Sequence, residues 1–437
     1  MPTLPIGFSE QSRRTGDSPI SYYIQTAIET PGLISLAAGL VDEGSLPAEA
    51  VGDAVREILA TPATARAALQ YGSTQGLPAL REQIVRHVCE ADGVTLAEAN
   101  LSAADVILTT GSQQMLYLLG EMLFNPGDIV ICEAPSYFVY HDCLKSHGAR
   151  VLSVPMDAGG MSMVALEDLL TRLEAEGELP KVKLLYTVDY HQNPTGLSLA
   201  ADRRPKLVEL AKRFSKTHRI LVLEDAAYRE LRYDGGDVVS VKRYDPTNEY
   251  VIYTSTFSKP CAPGLKTGYS ILPKGLMEPA CNLKGNHDFG STNLAQHILH
   301  KMIETGSYAT HVGHLRAVYR AKKNAMLRAL EAEFADWPEV RWTKPGGGLY
   351  VWATFPPHVN TGKDGQLMPR ALAAGVLYIP GELGHVPDEF GNVPANEARL
   401  SFGVADEAKI AEGVRRLRVA CRGLESVSRP ERAAQRV

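Results

Sequence analysis

Residues 105–123 read DVILTTGSQQMLYLLGEML. Val106 to Thr110 form a short apolar run ending in two threonines, a strand pattern. Past Gly111 the period changes, and Met115, Leu118, Leu119, Met122 and Leu123 recur at helical spacing. A strand that passes through a glycine turn into a helix opens a βα unit. The same rhythm continues outward in DIVICEA (128–134), ARVLSVP (149–155), VKLLYTVDY (182–190), RILVLEDAAY (219–228), YVIYTSTF (250–257) and TGYSILP (267–273). Several of these runs are apolar on successive residues, which suits strands covered on both faces. Residues 201–217 supply a helix with Leu207, Leu210, Ala211 and Phe214 on one face. The pattern predicts an α/β fold: a mostly parallel central sheet with helices on both faces.

The texture changes near 310. A long helical stretch (309–335) precedes GGGLYVWATF (346–355), EARLSFGV (397–404) and a closing helix at 405–421. The expected organisation is a large domain over 45–308, a smaller α+β domain over 309–425 and a disordered tail over 426–437. Residues 1–44 form an arm and a helix that packs with the small domain. The first 16 or so residues are polar and are expected to be mobile, as termini usually are. Asp17–Ser18–Pro19 is a helix start signal. It places Ile20, Tyr23, Ile24, Ala27 and Ile28 on one face and Tyr22 away from it.

Composition narrows the function. The 437 residues are 45% hydrophobic and 22% charged, with a formal net charge of −5. A large core is within reach of this length. Lys and Arg are spread along the chain, which argues against a nucleic-acid partner. No apolar run approaches the ~20 residues that span a bilayer, and the N-terminus lacks the apolar centre of a signal peptide. The six cysteines show no CxxC spacing. They read as free thiols in a reducing cytoplasm, with no metal site.

Five features then fall in order at strand ends or helix starts, where open α/β sheets bind ligands. TTGSQQ (109–114) is a glycine turn into a helix, suited to a phosphate and also a common connection. Asn193 sits in HQNPTG, which is a good turn sequence in any case. Asp225 ends the strand of LVLEDAAY, either as a helix cap or as the partner of a protonated ring nitrogen. Lys259 lies in TSTFSKPCAPGLKTGY, with Lys266 seven residues on. A lone lysine is usually a solvated charge. Phe257, Pro260, Cys261 and Pro263 are not surface texture, and a desolvated lysine can form a Schiff base. Arg399 in EARLSFGV is a surface cation or a fork for a carboxylate. Asn193 and Asp225 are 32 residues apart and Asp225 and Lys259 are 34 apart, each about one βα repeat. One cleft would hold a phosphate cradle, an acid for a pyridinium, a lysine for an aldehyde and an arginine for a carboxylate. Pyridoxal 5′-phosphate with an amino acid has those groups.

From about Ser35 to Arg418 the chain resembles fold-type I pyridoxal-phosphate enzymes of the class I/II aminotransferase family. It is most similar to the α-aminoadipate and kynurenine aminotransferase subgroup. NPTG (193–196), EDAAY (224–228), FSK with a second lysine seven residues later and then GY, and RLSFG (399–403) carry the likeness. The resemblance implies an enzyme acting through an external aldimine and a Cα carbanion, passing the amino group of an amino acid to a 2-oxo acid. It implies that Lys259 is the Schiff-base lysine and proton shuttle, and that Asp225 pairs with the pyridine nitrogen. Tyr228 and Asn193 would bond the phenolic oxygen, and Tyr137 (APSYF) would stack on the ring. Ser112, Gln113, Thr256 and Lys266 would hold the phosphate. Tyr71 (LQYGSTQG) would reach the neighbouring subunit's phosphate in a homodimer with shared active sites. Arg399, with Asn193 and Gly39 (LAAGL), would take the substrate carboxylate. Tyr22, with Tyr23, Tyr140 and His141, is a candidate for the substrate pocket.

Several residues depart from the family pattern. Lys266 stands where arginine is usual, so a point charge replaces a bidentate fork. VDYHQ before NPTG leaves His191 facing the cleft or satisfied in the core. GNHDFGSTN (285–293) puts His287 and Asp288 in a region the family places near the site. These departures motivate an alternative on the same cofactor: β- or γ-elimination, replacement or ring formation, with S-adenosylmethionine as a γ-substrate. A sensor domain of the MocR type would carry a winged helix first, and only about 18 residues precede the first helix here.

Overall fold

The computed structural model describes residues 6–17, 19–388 and 390–425. The tail read as disordered (426–437) and Ser18 of the helix start signal lie outside the described residues.

Eight strands build the main sheet: β1 Val106–Thr109, β2 Ile129–Ala134, β3 Arg150–Asp157, β4 Gly160–Met161, β5 Val182–Thr187, β6 Leu221–Asp225, β7 Val251–Thr256 and β8 Gly268–Ile271. Their spatial order is β1-β8-β7-β6-β5-β2-β3-β4. From β7 to β3 neighbouring strands are parallel. β8 runs antiparallel to both β1 and β7, so β1 points the same way as β7. Alternate residues enter different cores. Val130, Leu184 and Leu223 pack with Leu116 and Leu119 of the helix Gly111–Leu123. Ile131, Leu185 and Val222 pack with Leu207 and Phe214 of the helix Arg203–Phe214. Burial on both faces is the physical reason these strands read as unbroken apolar runs.

Two strands are shorter than their apolar runs. β5 stops at Thr187 because the Val188 N–H donates to the Glu133 carboxylate (2.8 Å) instead of to a ladder partner. β6 stops at Asp225, whose carboxylate accepts the Ala227 N–H (3.2 Å).

A second, antiparallel sheet contains β9 Arg341–Trp342, β10 Tyr350–Thr354, β11 Ile379–Pro380 and β12 Glu397–Ser401, in the order β9-β10-β12-β11. The helices Ser307–Phe334 and Glu407–Cys421 accompany it. The early chain joins this region: Ile34–Ser35 pairs in parallel with Val376–Leu377, and Ser401 N–H donates to the Leu36 carbonyl (2.7 Å). Two expectations for the N-terminal segment are corrected. Residues Glu10–Arg14 form a helix capped by Ser9, tied down by Gln11 to the Tyr117 hydroxyl (2.9 Å) and Arg14 to the Ser146 carbonyl (3.2 Å). In the helix Pro19–Glu29, Tyr23 is buried but Ile28 is 78% exposed, because the last turn runs past the packed surface.

Candidate active site

β1, β6 and β7 point the same way, so their C-terminal ends open on one edge of the sheet. A cavity there is lined by Thr110, Gly111, Ser112 and Gln113 after β1, Asp225, Ala227 and Tyr228 after β6, and Thr256, Ser258 and Lys259 after β7. Lys266, Tyr137, Val188 and Asn193 complete the lining.

One end suits an anion. The helix Gly111–Leu123 begins there, and the first N–H groups of a helix have no partner within it. β8 runs so close that a Cβ on Gly268 would lie 2.5 Å from the Ser112 nitrogen, so only glycine fits. The hydroxyls of Thr256 and Ser258 bond each other (3.0 Å) beside the exposed Lys266. Unpaired N–H groups, hydroxyls, an ammonium and the positive helix end together favour a phosphate.

The other end carries an acid with no cation beside it among the described residues. The Asp225 carboxylate is buried and, among the described residues, accepts only from the Tyr186 hydroxyl (3.1 Å) and the Ala227 N–H. Burial pushes its pKa up to about 6, against the pull of those two donors. A cationic N–H arriving in the cavity would supply the missing partner. Lys259 is half-buried, and its ammonium donates to the Gly39 carbonyl (2.8 Å).

Arg399 is buried, which removes the surface-cation alternative. Its Nη1 donates to Asn193 Oδ1 (2.9 Å) and its Nη2 to the Ala37 carbonyl (2.6 Å). Nε has no partner. The guanidinium carbon lies 4.4 Å from the Tyr350 ring centre. Asn193 is held by its neighbour: Gln192 donates to the Glu133 carboxylate (2.5 Å) and to the Pro135 carbonyl (3.1 Å). Burial pushes Glu133 up to about 7.

Tyr71, expected at the neighbouring subunit's site, is 78% exposed, lies edge-on to Phe289, and lines a separate hollow with Gly290 to Leu294. Not every residue expected at this cavity lines it: Arg399 and Gly39 lie behind the lining residues Asn193 and Lys259, to which they are hydrogen-bonded. Tyr22 is exposed, with the Lys363 ammonium 4.8 Å above its ring. Tyr23, Tyr140 and His141 do not line it either; Tyr140 packs on Tyr186, which bonds Asp225. His191 does not face the cleft. Its backbone is left-handed (φ +47) and its ring packs on Gly346 and Gly347, where burial lowers its pKa to about 4. His287 turns to Glu121 (2.8 Å). Asp288 accepts from Gln114 and Lys284 (2.9 Å each), bracing the helix that starts the phosphate cradle. Sequence reasoning missed Tyr350, Tyr186, Thr110, Val188, Ala227 and Ser258. Proximity to Lys259 or Asp225 could have flagged Ser258 and Ala227; nothing local flags Tyr350.

Residues 31–417 match the family model "Aminotransferase class I and II", and the chain belongs to that family. It is 35% identical over 410 residues to aromatic-amino-acid aminotransferase 1 of Thermococcus litoralis, covering 94% of this chain and 93% of the relative. Among solved structures, it is similar to a Pyrococcus horikoshii kynurenine aminotransferase in complex with PMP (TM-score 0.85, 34% identity, 94% of this chain and 96% of that one). It is also similar to an α-aminoadipate aminotransferase from Thermus thermophilus complexed with N-(5'-phosphopyridoxyl)-L-leucine (TM-score 0.81, 32% identity, 95% and 97%). The fold is that of fold-type I aminotransferases, and the enzyme transfers amino groups with pyridoxal 5′-phosphate as cofactor. The residues present fit that group: an anion cradle, a buried carboxylate lacking a cation, and an amine face one cavity.

Proposed function

We propose that this aminotransferase moves the amino group of an α-amino acid to a 2-oxo acid, with the following division of labour. The observation that carries the reading is the cation-free Asp225 carboxylate in the same cavity as the Lys259 amine. Asp225 holds a proton on the cofactor's ring nitrogen, each unit of pKa raised there being worth ~1.4 kcal/mol. Lys259 would hold the cofactor's aldehyde carbon through its amine, and that amine would move a proton at the substrate Cα. Ser112, Gln113, Thr256 and Lys266 hold the phosphate. Tyr228 and Asn193 bond the phenolic oxygen, and Tyr137 covers the ring. Arg399, oriented by Asn193 beside Gly39, takes the substrate carboxylate. The cofactor supplies an electron sink that acidifies the substrate Cα–H.

The exposed Tyr71 and Phe289, beside an open hollow, support a homodimer in which Tyr71 serves the neighbouring site. The separate sheets support a division into a cofactor-binding unit over 45–308 and a smaller unit over 309–425, with Ile34–Ser35 joined to the latter and Glu10–Arg14 held to the former. The six free cysteines support a reducing, cytoplasmic setting. Among the described residues, no helix is long and apolar enough to cross a membrane. Elimination or γ-replacement loses two of its motives, since His191 and His287 turn away from the cavity.

The test is a half-reaction. Holoenzyme mixed with aromatic amino acids, kynurenine or α-aminoadipate should lose its visible absorbance and release the matching 2-oxo acid with its carbon chain unchanged. Release of a leaving group, or no spectral change with any donor, would overturn the proposal.

A further inference from the structure

Tyr350 has no role in the division of labour above, yet it touches three members of the site. It lies on β10 opposite Ser401 of β12, while Trp352 stands opposite Arg399. Tyr350 is therefore the diagonal neighbour of Arg399 on the same face of the sheet. Its ring packs over the guanidinium, 4.4 Å from ring centre to carbon. Its hydroxyl lies 3.2 Å from the Tyr228 hydroxyl, the one polar partner it has among the described residues. A Cβ on Gly39 would come within 2.8 Å of that hydroxyl, so glycine there keeps its place open. The side chain is 1% exposed.

We propose that Tyr350 is a positioning residue that ties the carboxylate-binding arginine to the hydroxyl facing the cofactor's phenolic oxygen. This rests on the roles proposed above for Tyr228 and Arg399. Tyr228 has a single proton to donate. When it gives that proton's hydrogen bond to the phenolic oxygen, its own oxygen must accept one, and Tyr350 is placed to provide it. A donor that is itself an acceptor is polarised and donates more strongly. Stronger donation would place more negative charge on the phenolic oxygen, and the Lys259 Nζ that holds the cofactor would be the less basic for it. The ring of Tyr350 meanwhile fixes the plane of a guanidinium whose Nε has no partner.

The experiment uses holoenzyme and two variants that separate hydroxyl from ring. In Tyr350→Phe the ring remains. The pH midpoint of the visible absorbance band should rise by roughly 0.3–1 unit, one unit being about a tenfold change in equilibrium. The KM for the amino acid should stay within about twofold of the parent. In Tyr350→Leu the ring is lost as well, so the same spectral shift should come with a KM raised roughly five- to thirtyfold, the range of a buried cation–π contact. Tyr228→Phe is the reference and should shift the midpoint further than Tyr350→Phe. A midpoint that moves in Tyr228→Phe but not in Tyr350→Phe overturns the relay while leaving the role of Tyr228 intact. A midpoint unmoved in all three overturns the role of Tyr228, and the relay with it. An unchanged KM in Tyr350→Leu overturns the hold on Arg399. The near-isosteric phenylalanine variant keeps the relay testable if the leucine variant does not fold.

Discussion

Glu224 and Asp225 are consecutive residues of β6, and the pleat sends them to opposite faces. Glu224 is closed in by partners: it accepts from the Val241 and Lys242 N–H groups (2.8 Å each), and Arg204 lies 3.8 Å away. Arg204 also pairs with Asp189, donates to the Leu199 carbonyl (3.2 Å) and stacks on Tyr190 (4.3 Å). Asp225 faces the cavity with two neutral donors and, among the described residues, no cation. The lysines repeat the contrast. Lys242 is enclosed by Asn248 (2.5 Å), the Val251 carbonyl (2.7 Å) and Asp245 (3.4 Å), whereas Lys259 has one carbonyl. Buried charge with all its partners supplied by the chain is structural. Buried charge with a place left open is a binding group.

The largest effect that tests this contrast falls on Lys259. Replacing it with alanine should cut turnover by ~10²–10⁴ or more, the range for a lost acid–base group. Borohydride should then leave no cofactor mass on the protein, while the melting temperature stays near the parent's. Arg204→Met and Asp225→Asn should separate cleanly. The first strips a cation from a closed buried cluster and should cost roughly 3–5 kcal/mol in urea unfolding. The second should leave urea stability at or above the parent's and lower turnover ~10²-fold. Equal destabilisation by both would break the contrast.

Arg399→Lys keeps the charge and loses the fork. Charge-assisted hydrogen bonds worth about 1.5–3 kcal/mol put the expected rise in KM at roughly 10- to 150-fold, read from initial rates with the amino donor varied. A KM unchanged by this variant would place the substrate carboxylate elsewhere.

The smallest expected effect is a pH dependence at His191, whose pKa is lowered to about 4 by burial. The unfolded chain then holds more protons than the folded one between about pH 6.5 and 4. The histidine's contribution is whole above pH 6.5 and shrinks as pH falls through that window. The stability difference between parent and His191→Gln, from melts at pH 7 and 4.5, should therefore move against the parent on acidification. A constant difference would mean that the imidazole takes up its proton equally in the folded and the unfolded chain.

Much of the large sheet was legible because strands buried on both faces leave unbroken apolar runs. Their ends were less so: nothing local in VKLLYTVDY shows that Glu133, some fifty residues earlier, takes the Val188 N–H. Lys259, Asp225 and Asn193 could be picked out because each follows a strand at one-repeat spacing. Tyr350 could not, because its role depends on the register of β10 on β12. His191 was ambiguous because its left-handed backbone, which turns the ring onto Gly347, is not encoded by its type.

The sequence by itself determined the alternation of strand and helix and which residue types stand at the strand ends, since those depend on local period and turn chemistry. Only the tertiary structure decided that Glu224 is closed in by partners while Asp225 faces the cavity without a cation among the described residues, and that Gly39, Tyr350 and Arg399 converge on one another. The reason is that a charge's pKa, exposure and partners are set by groups far away in the chain, which folding alone brings within hydrogen-bond reach.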